Sequence, residues 1–139
     1  MKLIHKVVHN HVLALSIGTV YLWFGTLKYF PNVSPAEDLA KKTIDVLTFN
    51  LIPSNVSIVL LAIWESLIGV LLILNVNRRQ VVIFALVHIA FTFFPLFLFT
   101  DQVFNSVPFQ LTLLGQYIIK NLVIIAGLLT LYQLPPTKK

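Results

Sequence analysis

A carboxylate stands in the middle of an apolar run, Val56-Ser-Ile-Val-Leu-Leu-Ala-Ile-Trp-Glu-Ser-Leu-Ile-Gly, and that residue, Glu65, is where chemistry is first expected. Taking Ser57 to Asn75 as a membrane span puts Glu65 near its midpoint. A charged acid at that depth costs roughly 2.5–3.5 kcal/mol on insertion scales, so it should face protein or water and hold a partner. The basic side chains able to reach it are Lys120 first and Lys28 second, each on a long flexible stem. His88 adds a group that titrates near neutral pH and can carry a proton or a hydrogen bond. Tyr21, Ser66, Thr92, Gln116, Tyr117 and Asn121 can complete a polar network. Two uses of such a set stay open. It can hold the polar head of a ligand, in a site open to the outer leaflet, lined by Glu65, His88 and Lys120 and walled by Phe91-Thr-Phe-Phe-Pro-Leu-Phe. Alternatively it is an ion pair that fixes helix register and binds nothing.

The elements that position these residues follow from composition. The 139-residue chain is 58% hydrophobic and 11% charged, against about 25% charged for an ordinary soluble domain. Its mean hydropathy is +0.89. That composition describes one integral membrane domain over residues 1–139, with apolar runs at about 12–30, 56–75, 80–99 and 116–134. Lipid offers backbone groups no hydrogen bonds, and four short strands cannot close a barrel, so the runs are expected to be helices. The expected fold is all-α, an antiparallel bundle of four transmembrane helices. Between the first two, Ser34-Pro35-Ala36-Glu37 reads as an N-cap, a first-turn proline and a capping-box acid. Ala36, Leu39, Ala40, Thr43 and Leu47 then recur at helical spacing, which predicts a short amphipathic outer helix, acting as a lid or as a partner-binding element.

Each span carries one stripe of small and polar residues. These are Gly18, Tyr21, Gly25 and Lys28 in the first, Ala62, Glu65 or Ser66, and Gly69 in the second, and Ala85, His88, Thr92 and Pro95 in the third. In the fourth the stripe is Gln116, Lys120, Val123, Gly127 and Thr130. Small residues let helices approach closely in a membrane, so the stripes are predicted to face inward. Trp64 is expected to pack on lipid or another helix, and the apolar stretch 101–116 to dip into the outer leaflet or fold over the mouth of the bundle.

Several chemistries are excluded. With no cysteine there is no disulfide relay, thiolate metal site or cysteine nucleophile. His5, His9 and His11 lack an accompanying acid and read as interfacial residues, so no metal site is expected. No haem ligand pair, flavin motif or iron–sulfur set is present, and the chain alone cannot carry electrons. The net charge of +5 is divided among short segments, which signals topology and not nucleic acid. Lys2, Lys6, Arg78, Arg79, Lys138 and Lys139 fall on one side, so the positive-inside rule places both termini in the cytoplasm. The expected location is a bacterial inner membrane, with lipid as the obligatory partner.

The run Trp23-Phe24-Gly25-Thr-Leu-Lys28-Tyr-Phe-Pro31, Glu65 with Gly69, His88 to Pro95, and Gly115-Gln-Tyr-Ile-Ile-Lys120-Asn together resemble the DoxX-like superfamily of small four-helix membrane proteins over almost the whole chain. The resemblance implies fold and membrane placement, and for some members a place in quinone-linked oxidoreductases, including a thiosulfate-oxidising system. It transfers no catalytic residue. Relatives associated with thiol chemistry use cysteines that this chain lacks. The resulting expectation is an accessory or binding subunit of a quinone-linked oxidoreductase, with a quinone head group as candidate ligand. The alternatives are a structural or assembly subunit that binds another membrane protein or a second copy, and a carrier of protons or a small solute.

Overall fold

The computed structural model describes residues 2–106 and 109–134, with side chains described from His11 onward. The elements in order are α1 (Lys2–Leu27), α2 (Glu37–Leu47), α3 (Ser54–Ile73), α4 (Arg78–Phe91), α5 (Pro95–Leu98), α6 (Thr100–Val103), α7 (Leu113–Ile119) and α8 (Asn121–Gln133). Three helical stretches are long and apolar enough to cross a membrane: Ser54–Ile73, Arg78–Leu98 and Leu113–Gln133. The apolar part of α1, His11–Leu27, is shorter. Among the described residues the architecture is all-helical, that of a membrane protein. Lys2, His5, Lys6, His9, Lys138 and Lys139, weighed above, lie outside the residues whose side chains are described.

The packing of α1 on α3 depends on glycine. A Cβ on Gly69 would meet Leu22 N at 2.6 Å and Gly18 O at 2.8 Å, and one on Gly25 would meet Ser66 N at 2.8 Å. Only a residue without a side chain permits that approach, in which residues 18–25 of α1 run antiparallel along residues 69–65 of α3. Behind this contact α1, α3, α4 and α8 share a core of Ala14, Ile17, Tyr21, Ile68, Leu72, Val82, Ala85, Leu128 and Leu131. The polar residues on lipid-facing sides satisfy themselves locally. Ser16, Thr19 and Thr130 each return their hydroxyl hydrogen to the carbonyl four residues back.

The α3–α4 turn is set by two asparagines with positive φ, Asn75 at 54° and Asn77 at 43°. The Asn75 amide donates to Leu72 O and the Val76 amide to Leu71 O, which completes a Schellman closure of α3. Arg78 is buried there and donates from one guanidinium nitrogen to Leu134 O at 2.9 Å, placing a cation at the C-terminal end of α8.

Two expected spans are broken. Residues 80–99 do not form one helix, because Pro95 has no amide hydrogen and clashes with the preceding turn. The chain instead makes tighter i→i+3 bonds at Phe93 and Phe94 before α5 starts. The last span is interrupted at Lys120, which closes α7 and opens α8. Lys120 keeps helical backbone angles, and the inward stripe runs through it at helical spacing, one residue away from the expected one. Tyr117, Asn121, Ile124, Leu128 and Leu131 turn inward, while Gln116, Lys120, Val123 and Thr130 are exposed and only Gly127 of the predicted set meets α1.

The capping box is also placed differently. The N-cap of α2 is Ala36, with no side-chain cap. The Glu37 carboxylate reaches back past Ser34 to the Asn32 amide at 2.8 Å and pairs with Lys41 at 2.6 Å. Residues 101–106 and 109–112 fold back on the helices. Val103 is fully buried against Leu39 and Ile118, and Thr112 caps α7 by accepting from the Gly115 amide.

Candidate functional site

Glu65 is brought to its partners by α1 on one side and α4 on the other. It is 7% exposed, and Lys28, 9% exposed, donates from Nζ to Glu65 Oε2 at 2.6 Å. Lys28 lies one residue past the end of α1, in an i→i+3 turn, and its ammonium also donates to Phe24 O at 3.3 Å. The first-choice partner, Lys120, is exposed and does not reach Glu65. Lys120 lies on the outward stripe of the last span, where its stem can snorkel. Gln116 is exposed on the same outward stripe.

The second carboxylate oxygen faces α4, with His88 Nε2 3.1 Å from Glu65 Oε1. The other ring nitrogen, Nδ1, is 3.2 Å from the Tyr21 hydroxyl, which itself lies 3.1 Å from Ala85 O. Tyr21 has one hydroxyl hydrogen to give, so two arrangements follow. If it donates to Ala85 O, Nδ1 must carry a hydrogen of its own and His88 is an imidazolium. If it donates to Nδ1, His88 is neutral with its single hydrogen on Nε2. Both keep an Nε2 hydrogen on the ionised carboxylate, so Tyr21, His88, Glu65 and Lys28 form one hydrogen-bonded chain across α1, α3 and α4.

This chain borders a cavity of about 600 Å³. Lys28, Glu65 and His88 line it together with Thr92, Tyr117 and Asn121. Asn121 donates to Thr92 Oγ1 at 2.9 Å. The Tyr117 ring packs edge-on against Phe24 at 5.4 Å, while its hydroxyl makes no hydrogen bond to the described residues. The rest of the lining is mostly apolar and comes from α2 (Leu39, Ala40, Ile44 and Leu47) and from α3 and α4 (Leu60, Trp64, Val87 and Phe91). Ligand cavities of this size, apolar with a few convergent polar groups, are typical of small-molecule sites.

Trp64 and Phe91 line the cavity while being 40% and 50% exposed, so its wall between α3 and α4 continues into the lipid-facing surface. Trp64 packs on Phe84 of another helix, α4, as expected, and in addition forms an edge of the cavity. The phenylalanine wall reduces to Phe91. Phe97 is 80% exposed, and Phe93 packs against the core. The residue missed among the leading candidates is Tyr117, and the lost signal is the one-residue offset of the last stripe. Comparisons of the chain with protein families, curated proteins and solved structures return no match.

Proposed function

We infer that this protein is a membrane-embedded binding subunit that draws an amphiphilic ligand from the lipid phase and holds its head group at Glu65, His88 and Lys28. The observation that carries the reading is the cavity of about 600 Å³, polar where those three residues meet and continuous with the lipid-facing surface at Trp64 and Phe91. Its shape and chemistry suit a quinone, whose ring oxygens take hydrogen bonds while the tail stays in lipid. A pair that only fixed register would need no cavity beside it. The DoxX-like resemblance agrees with this reading, which makes the chain an accessory subunit of a quinone-linked oxidoreductase, α1 its fourth span, and both termini cytoplasmic in a bacterial inner membrane. The redox centres belong to a partner, because this chain has no ligand set for them.

The test is fluorescence. With Trp23 replaced by Phe, Trp64 is the remaining tryptophan. Decylubiquinone titrated into nanodiscs holding this variant is expected to quench Trp64 saturably, beyond the linear quenching due to partition into lipid. Linear quenching alone contradicts the reading. A second reading, a proton carrier, is favoured by the continuous chain from Tyr21 to Lys28. It predicts a proton flux in proteoliposomes that Glu65→Gln abolishes, and an unchanged flux removes it.

A further inference from the structure

The charges at the polar end of the cavity restrict which head group fits, an argument that rests on the ligand-binding reading above. In the arrangement where Tyr21 donates to Nδ1 and His88 is neutral, Glu65 accepts from Lys28 on one oxygen and from His88 on the other, so the carboxylate and the ammonium that line the cavity offset each other at 2.6 Å. An anionic head group would have to draw Lys28 away from Glu65. A cationic one would compete with Lys28 for the same carboxylate. Either leaves a buried charge without its partner, which is strongly unfavourable.

The hydrogen-bonding capacity left over is of another kind. Asn121 spends one amide hydrogen on Thr92, and Lys28 donates to Glu65 and Phe24, with a third hydrogen remaining. Tyr117 donates to none of the described residues. Its ring contact with Phe24 would be kept by a phenylalanine, so packing does not account for the hydroxyl. A half-buried phenol normally finds a partner.

We propose that Tyr117 is the specificity-determining residue of the cavity, donating its hydroxyl hydrogen to an oxygen of a head group that carries no net charge. The ligand class is therefore a neutral, oxygen-bearing amphiphile; phospholipid anions, fatty-acid carboxylates and quaternary ammonium compounds are disfavoured. Tyr117 lines the cavity from α7, and the ion pair lines it from the end of α1 and from α3.

The experiment uses the full-length Trp23→Phe protein in nanodiscs of zwitterionic lipid, with decylubiquinone bound and three competitors that share its ten-carbon tail: decanol, decyl sulfate and decyltrimethylammonium. Decanol is expected to restore Trp64 fluorescence at concentrations at least tenfold below those of either charged competitor. Tyr117→Phe is expected to weaken decylubiquinone about fivefold, the worth of one net hydrogen bond, with an unchanged melting temperature. Equal displacement by a charged competitor, or unchanged affinity in Tyr117→Phe, overturns the proposal while leaving the binding reading intact. Absence of any saturable quenching removes both.

Discussion

Lys28 and Glu65 are each nearly withdrawn from solvent, and a buried pair of this kind is held together by what its separation would expose. Glu65→Ala is expected to destabilise the fold by about 3–5 kcal/mol, because it strands the ammonium. Lys28→Met with Glu65→Leu replaces both charges by apolar groups of similar volume and is expected to restore most of that loss. Thermal unfolding in detergent reads the difference; a double variant as unstable as the single one contradicts the pairing. The acid and its depth were legible in the sequence, since a carboxylate inside an apolar span needs a partner. Lys28 was legible only as second choice. Lys120 was favoured because polarity selected its stripe, whereas the neighbouring stripe through Tyr117 and Asn121 is the one that turns inward.

At the scale of the elements, the close contact of α1 with α3 is expected to fail when side chains are added. Gly69→Ala places a methyl against the Leu22 amide and the Gly18 carbonyl, both backbone atoms that cannot step aside. A loss of about 1–3 kcal/mol is expected, with separation of Lys28 from Glu65 and weaker ligand binding as its consequence. Unchanged stability and binding would show that α1 can retreat freely. The α2 helix depends on pH through Glu37. Its carboxyl is held below the usual glutamate range chiefly by the hydrogen bond from Lys41, helped by the Asn32 amide, against the opposing effect of burial. A carboxyl with a lowered folded-state value stabilises fully above its ordinary value near 4.3 and loses that contribution as pH falls through the lower one. Amide exchange in α2 is therefore expected to accelerate below about pH 4, and Glu37→Gln is expected to flatten that acid limb. An identical limb in the variant contradicts the assignment. The stripes of the first three spans were readable because small residues at helical spacing have one economical use in a membrane. The fourth was misread by one position, since its rhythm of four and three fits Tyr117, Asn121, Ile124, Leu128 and Leu131 as well as the set chosen from polarity.

Across the whole molecule, three long apolar helices and a shorter one bring residues from α1, α3, α4, α7 and α8 to one cavity, with α2 as a further wall. Composition foretold the helices, and the helical spacing of Leu39, Ala40, Thr43 and Leu47 foretold α2. A ligand site was one of two readings left open; its volume was not legible, because it depends on how α2, α3, α4, α7 and α8 pack around it. Our central claim is that this space holds a neutral ligand from the lipid phase against the Lys28–Glu65 pair. Native mass spectrometry of the protein, gently solubilised from its own membranes, tests that claim most directly, with the Lys28→Met/Glu65→Leu variant measured alongside. We predict that the parent protein carries a small uncharged amphiphile that the double variant lacks. An empty parent, or the same molecule retained by both, would contradict it.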